Sequence, residues 1–442
     1  MRRFSQRLLF VNFEEEVFVL KTVYPICCGV DVHKKFFVAT LITTEELLPK
    51  YKKRRFSTFN NQILEFKKWL LENNCRDVCM ESTGKYWIPV YNLLEDSINV
   101  TVANPKWVKT IKGNKDDVKD SKWIGDLFRL GLVPGSFIPP KEIRILREFT
   151  RYRAKLVGCK SGEKNRYQNV FTVCNVALDA VVSDMFGVSA SAVTDYIVNS
   201  DTFDPEYCVS FLKRSLKKKA PEVIESIEGF QMTAAQKDRA RLVKEHYDFL
   251  LRHIQRLDDA VDKLAEPFES AITLLCTIPG FDRRSAIAVI SEIGIDMTQF
   301  GSSKRLCRWA GLTPGNNESA GKKYSVHIMR AGVYIKPMLV QMAHAAVIST
   351  KTPYYAIKHA AISKRRGKKR AVIAIARMML TAAFHMLTTG EVWNPSDLQQ
   401  IDMPPELREK QLRHDLDRAA KLLVANGVVA PDAIQLPDQN AG

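Results

Sequence analysis

Five residues here have the types and the placing for chemistry on phosphate: Ser319, Asp31, Glu81, Asp117 and Asp120. Ser319 stands within Thr313 to Met329, among Gly, Asn and Ala residues, with Lys322 and Lys323 just downstream. A small hydroxyl in flexible backbone beside fixed positive charge suits a nucleophile aimed at phosphate. Serine is weak at its free pKa and needs a base, a metal or oriented cations. Nothing in the stretch supplies a base, so activation must come from elsewhere in the chain. Taken alone, the stretch reads first as a lysine-flanked solvent loop with an idle serine.

The acids need elements to gather them. Ile26 to Val32 and Phe36 to Ile42 are β-rich runs joined by His33, Lys34 and Lys35, which predicts a hairpin, and Arg54 to Phe59 predicts a third strand. Asn60 caps a helical pattern through Ile63, Phe66, Leu70 and Leu71. Asp77 to Glu81 and Asn99 to Ala103 follow as strands, Trp87 to Leu94 and Asp116 to Leu130 as helices. The order βββαβαβα is the connectivity of the ribonuclease H architecture. Strands one and four are then neighbours, so Asp31 and Glu81 come together, and Asp117 and Asp120, three apart, share a helix face beside them. Unpaired, such carboxylates would repel and raise one another's pKa. Mg²⁺ resolves the conflict and is the basis of metal-assisted phosphoryl transfer. Each acid taken singly is ordinarily solvated or capping, and Asp116 and Asp126 compete with Asp117 and Asp120. His33 reads as an exposed hairpin histidine, and Lys50 to Arg55, KYKKRR, equally as a solvated turn or a phosphate contact.

With 442 residues, 46% hydrophobic and 26% charged, the chain is long and apolar enough for two or three domains with cores. A net charge of +17 and a pI near 9.4 favour a polyanionic partner, nucleic acid foremost. The nine scattered cysteines contain no C-x-x-C pair, which argues against a disulfide framework or a zinc site and for a reduced cytoplasmic setting. No apolar run reaches the ~20 residues of a membrane span, and Glu14 to Glu16 interrupt any signal-peptide layout.

The segments GVDVHKKFFVA, MESTGKYW, ANPKWVK and NKDDVKDSKWIGDLFRLGL resemble successive motifs of the DEDD transposases of bridge-RNA-guided insertion sequences, the Piv/MooV-like group. IPGFDRRSAIAVISEIG, FGSSKRLCRWAGLTPGNNESAGKKYS and KKRAVIAIARMML are similar to that family's C-terminal transposase domain. By motif position Asp31, Glu81, Asp117 and Asp120 match the family's acids and Ser319 its nucleophile. Three positions depart: the family often has a neutral residue at Asp116, alanine at Ser121 and asparagine at Val333, so Asp116 and Asp117 both stay open as ligands. The resemblance implies a RuvC-like ribonuclease H fold and a phosphoserine link to DNA. It also implies Mg²⁺, donor and target DNA, a guide (bridge) RNA and a homo-oligomer, a tetramer or dimer of dimers. The rival readings are a metal-dependent RuvC-like junction nuclease without a serine–DNA adduct, and a non-catalytic nucleic-acid-binding protein.

Between the two halves, Val243, Tyr247, Leu250, Ile254, Leu257, Val261, Leu264 and Phe268 step as a coiled-coil seam, with Ile145 to Val181 as its partner. Lys213 to Lys219 reads as a solvated loop. TIPGFDRRSAIAVISEIG suggests a helix-hairpin-helix whose helix start, with Arg283 and Arg284, faces phosphate. Tyr334 to Ile348 and Ala371 to Leu387 read as core helices joined by a basic linker, KRRGKKR. Expected phosphate contacts are Lys115, Lys119, Arg283, Arg284, Lys322, Lys323, Arg365, Arg366, Lys368, Lys369 and Arg370. The whole is expected as α/β plus all-α: an extension (1–25), the RuvC-like domain (26–140), a coiled-coil arm (141–270), a mostly helical serine domain (271–392) and a tail (393–442) with one charged helical stretch.

Overall fold

Short runs rich in Val, Ile, Thr and Phe make the strands of the first unit. β1 (Ile26–Val32) and β2 (Phe36–Glu45) pair antiparallel across the turn at His33 to Lys35, and β3 (Leu48–Ser57) continues the meander at the sheet edge. Then come α1 (Asn60–Glu72), β4 (Asp77–Glu81), α2 (Trp87–Leu94), β5 (Asn99–Ala103), the single turn α3 (Pro105–Val108) and α4 (Asp117–Arg129). The sheet order is β3-β2-β1-β4-β5, with β1, β4 and β5 parallel. This computed structural model describes residues 22–430 apart from 46–47, 83, 109–116, 201, 316, 320–321, 326, 350–351, 399–402, 404 and 426. The chain divides into two units, Met1–Ile138 and Pro139–Gly442.

Alternation along β1 sends Cys28, Val30 and Val32 to one face of the sheet, where Ile63, Phe66 and Leu70 of α1 and Val90 and Leu94 of α2 cover them. Cys27 points the other way with Ile42 and Cys79, under Ile124 and Phe128 of α4. Each fully buried Ile, Leu or Phe contributes roughly 1.5–3 kcal/mol. The same burial pushes the Cys75 and Cys79 thiols up to about 12.

Several boundaries differ from the sequence reading, among them the ends of β3 at Ser57 rather than Phe59 and of α4 at Arg129 rather than Leu130. β2 runs on to Glu45 and β3 begins at Leu48, so the block KYKKRR is strand, with Lys50 opposite Thr43 and Arg55 opposite Val38. Pairing with the apolar β2 outweighs the weak strand preference of lysine, and charge suits an edge strand. Asn60 is the first helical residue of α1; Phe59 precedes it and makes no side-chain cap.

In the second unit α5 (Lys141–Thr172) and α10 (Ala234–Ala265) are helices of 32 residues each. Arg153 pairs with Asp258 while Glu163 meets His246, so the two run antiparallel. Tyr247, Leu250, Ile254 and Val261 are buried as the pattern predicts, but Asp258 and Ala265 take the buried places expected for Leu257 and Leu264. A straight helix turns every 3.6 residues and drifts off a strict heptad. α5 ends at Thr172 rather than Val181, and Glu163 is tolerated inside because Arg166 and His246 face it.

The connection is no loop. α6 (Leu178–Val181), α7 (Val188–Asn199), α8 (Pro205–Ser210), a 3-10 turn (Arg214–Lys219) and α9 (Ala220–Glu225) close around Leu178, Val193, Ile197, Cys208 and Val223, with Tyr167 and Phe171 of α5. Lys213 to Lys219 thus lead into and form the 3-10 turn.

α11 (Glu269–Leu275), α12 (Arg283–Ile293) and α13 (Ser303–Trp309) lead to a short hairpin, β6 (Asn317–Ser319) and β7 (Lys322–Ser325). Arg151 of α5 grips Glu292 of α12 in a bidentate pair at 2.6 and 2.7 Å, and burial holds the neighbouring Arg147 guanidinium down to about 10 against the pull of Glu292. α14 (Ile335–Ile348), α15 (Tyr354–Arg366), α16 (Lys368–Thr389) and α17 (Pro405–Ala425) follow among the described residues. KRRGKKR is therefore not a linker: it spans the end of α15 and the start of α16 around Gly367. α16 is long and apolar enough to cross a membrane by length and composition only, a test that the core helix of a globular unit also passes. Half of it is buried in this fold, where it packs with α13, α14 and α15.

Candidate active site

Two strand ends and one helix start carry the candidate acids. Val30 pairs with Met80, so the next residues of the parallel strands, Asp31 and Glu81, stand side by side. Both lie on the sheet face that α4 covers, because Cys27 and Cys79 of the same alternation pack under α4.

What brings α4 close is a missing pair of side chains. A Cβ on Gly29 would sit 2.3 Å from the Gly125 amide nitrogen and 2.3 Å from the Ser121 carbonyl oxygen, so helix backbone rests directly on strand backbone. Ser121 is fully buried and its hydroxyl meets Thr40 of β2 at 2.8 Å, locking the same crossing.

The helix runs opposite to β1. Cys27 lies by Gly125, and the Val23 and Tyr24 amides donate to the Arg129 carbonyl, so moving forward along β1 to Asp31 moves back along α4 towards its first turn. That turn carries Asp117 and Asp120. Asp120 is partly exposed; the Asp117 side chain, Asp116 and Lys115 lie outside the described residues.

Asp31 is 15% exposed and accepts a hydrogen bond from His33 Nε2 at 3.1 Å, while the His33 ring packs at a tilt against Phe36, centroids 4.8 Å apart. Among the described residues no three His, Cys, Asp or Glu side chains form a closed metal cage. Asp31 and Glu81 on one sheet face offer carboxylate oxygen, the donor type that suits a hard divalent cation such as Mg²⁺.

The serine region is a hairpin rather than the flexible loop expected, with Ser319 opposite Lys322. Its root is pinned: Pro314 bridges Ile328, and the Gly315 amide donates to the His327 carbonyl at 3.1 Å. Gly332 is required just beyond it, since a Cβ there would lie 2.1 Å from the Ala310 carbonyl oxygen. The side chains of Ser319, Lys322 and Lys323 lie outside the described residues.

The expected cations divide. Lys119, Arg365, Arg366, Lys368, Lys369 and Arg370 are exposed. Arg366, Lys369 and Arg370 line a cavity of about 1110 Å³ that Pro314, His327 and Ile328 also border. Arg283 is instead bound to Glu269 at 2.6 Å, and Arg284 to the buried Asp258. Asp282 caps α12 by accepting from the Ser285 amide, and Gly280 serves close packing, its Cβ position lying 2.7 Å from the Met342 carbonyl oxygen. Gly29, Gly125, Ser121, Thr40 and His33 position the acid site, yet the spacing of acids does not reveal them. The glycines in GVDVHKK and IGDLF were the available clue.

Against known families, residues 28–175 match a transposase model of the DEDD, IS110 type, and residues 272–359 match the transposase IS116/IS110/IS902 family. Both units resemble IS110-type transposases. The enzyme class carried by both matches is DNA transposase. The chain is also 29% identical over 120 residues to the transposase for insertion sequence element IS1111A of Coxiella burnetii (strain RSA 493 / Nine Mile phase I). That likeness covers 26% of this chain and 33% of the relative, about a third of its length.

Proposed function

We propose that this chain is the DNA transposase of a prokaryotic insertion sequence, acting in the cytoplasm. Its first unit is a RuvC-like ribonuclease H domain, α5 and α10 a coiled-coil arm, and the remainder a serine transposase domain with a tail after about residue 392. Supporting this are the sheet order, the helix laid on β1 at Gly29, and the two family matches in order along the chain. The carrying observation is that Asp31 and Glu81 share the face and the end of the sheet towards which the first turn of α4 points.

In this reading Asp31, Glu81, Asp117 and Asp120 would hold Mg²⁺, which when bound would supply positive charge for the developing transition state at a scissile phosphate. The Ser319 hydroxyl attacks phosphorus, a protein–DNA ester forms, the 3′ or 5′ oxygen leaves with a proton, and a strand hydroxyl later reverses the step. Lys322 and Lys323 offset phosphate charge. A guide (bridge) RNA selects donor and target DNA by base pairing, and the chain works as a homo-oligomer, a tetramer or dimer of dimers.

A strand-exchange assay tests this. Asp31→Ala, Glu81→Ala, Asp117→Ala and Asp120→Ala should each abolish joining while circular dichroism stays unchanged. Full joining by Asp117→Ala with loss in Asp116→Ala would move the ligand by one residue; strand cutting with free ends and no adduct would favour the junction nuclease.

A further inference from the structure

Strand pairing sorts the basic block KYKKRR into two halves. Tyr51 of β3 reaches α4, its hydroxyl donating to Asp126 at 2.9 Å, so the alternating residues Lys53 and Arg55 face the acid side of the sheet. Lys52 and Arg54 face the other side, where Lys52 donates to Asn73 at 3.0 Å and Arg54 to Glu65 at 2.8 Å; Lys50 pairs with Glu45. The far half is thus committed within the fold. Lys53 and Arg55 are exposed and meet no carboxylate among the described residues.

Register then places them. Asp31 pairs with Val38, and Val38 with Arg55, so Arg55 stands in one row with Asp31 and Glu81. Lys53 pairs with Thr40, one step back beside the buried Thr40–Ser121 contact. Strands lie ~4.8 Å apart, which sets Arg55 about 10 Å from Asp31 along the row. Contacts fix it there: the Arg55 guanidinium lies 3.7 Å over the Phe36 ring, the Phe36 ring packs at a tilt against His33, and His33 holds Asp31. Stacking takes the flat face of a guanidinium and leaves its N–H edge for an anion.

We infer that Lys53 and Arg55 form a phosphate subsite for the DNA strand whose scissile phosphate lies at the acids. This rests on the transposase reading. Arg55 is a positioning residue, since it grips the backbone away from the reacting atoms.

The test uses the full chain and one sequence as duplex DNA, single-stranded DNA and single-stranded RNA, with affinity measured against salt. Lys53→Gln/Arg55→Gln should make the log–log salt slope shallower by about 1.8 on duplex or about 1.4 on single-stranded DNA, the loss of two phosphate contacts. Lys50→Gln/Lys52→Gln removes the same charge from the other face and should leave the slope as in wild type. Lys53→Arg/Arg55→Lys should restore it. Equal losses in both pairs, no loss in either, or a loss confined to RNA would overturn the subsite. Wild type that binds no DNA would overturn the transposase reading with it.

Discussion

The contact of Gly29 with Gly125 should be the most sensitive point of the acid site, and the two glycines should differ. An alanine Cβ at Gly29 meets backbone at 2.3 Å, from both Ser121 and Gly125, and backbone cannot turn aside. α4 would have to lift by about 1 Å, at a cost above the ~1–3 kcal/mol of ordinary overpacking. At Gly125 the first obstacle is the Ile42 Cδ1 methyl at 2.7 Å, the free end of a side chain. Alanine there also gains up to ~1 kcal/mol of helix propensity, so Gly125→Ala should cost only about 0–2 kcal/mol. Ile42→Val normally costs about 0.5–1.5 kcal/mol, but in the Gly125→Ala background it removes the obstructing methyl and should cost less than that. Hydrogen exchange of the β1 and β2 amides in the full chain reads these differences without assuming two-state unfolding. Gly29→Ala with wild-type protection and full strand joining would refute the reasoning.

Other outcomes follow from the second unit and the buried thiols. Leu250→Asp or Ile254→Asp should each lower the thermal midpoint sharply and alter the assembly seen by light scattering, since burial of each contributes roughly 1.5–3 kcal/mol; Leu257→Asp, at a partly buried position, should do less. Glu292→Ala, which removes the carboxylate that Arg151 grips and that faces Arg147 at 4.0 Å while leaving the Arg147 bonds to backbone carbonyls in place, should cost about 3 kcal/mol in urea unfolding, and adding Arg151→Met should recover part of it. A maleimide at pH 7 should label the exposed Cys159 first, while Cys75 and Cys79, with thiols near pKa 12, should stay unlabelled until the chain unfolds.

Much of the first unit was legible because its strands are short, apolar and well punctuated: Asp77–Glu81, Trp87–Leu94 and Asn99–Ala103 have the bounds their sequence predicts. The pairing of Asp31 with Glu81 followed from connectivity alone. KYKKRR misled because lysines disfavour strands in isolation, and only the β2 partner makes them one. The seam of α10 read correctly until Asp258, whose burial depends on Arg153 and Arg284 reaching it from α5 and α12, contacts distant in sequence. α15 was missed because Lys364 to Arg370 looks like a spacer, although Tyr354 and Tyr355 anchor the helix in the core. Arg283 and Arg284 look like phosphate ligands in sequence, since nothing local announces the acids that bind them.

The central claim is that Ser319 attacks DNA with the help of the acids. A duplex nicked beside the exchange point, incubated with the full chain, guide RNA and Mg²⁺, should trap protein on DNA, and mass spectrometry should place the link on the peptide containing Ser319. Ser319→Ala should abolish the adduct while DNA binding persists through the Lys and Arg contacts, and Ser325→Ala should leave it in place. Strand cleavage that survives Ser319→Ala but vanishes with Asp31→Ala would contradict the serine mechanism and assign the chemistry to water at the acid cluster.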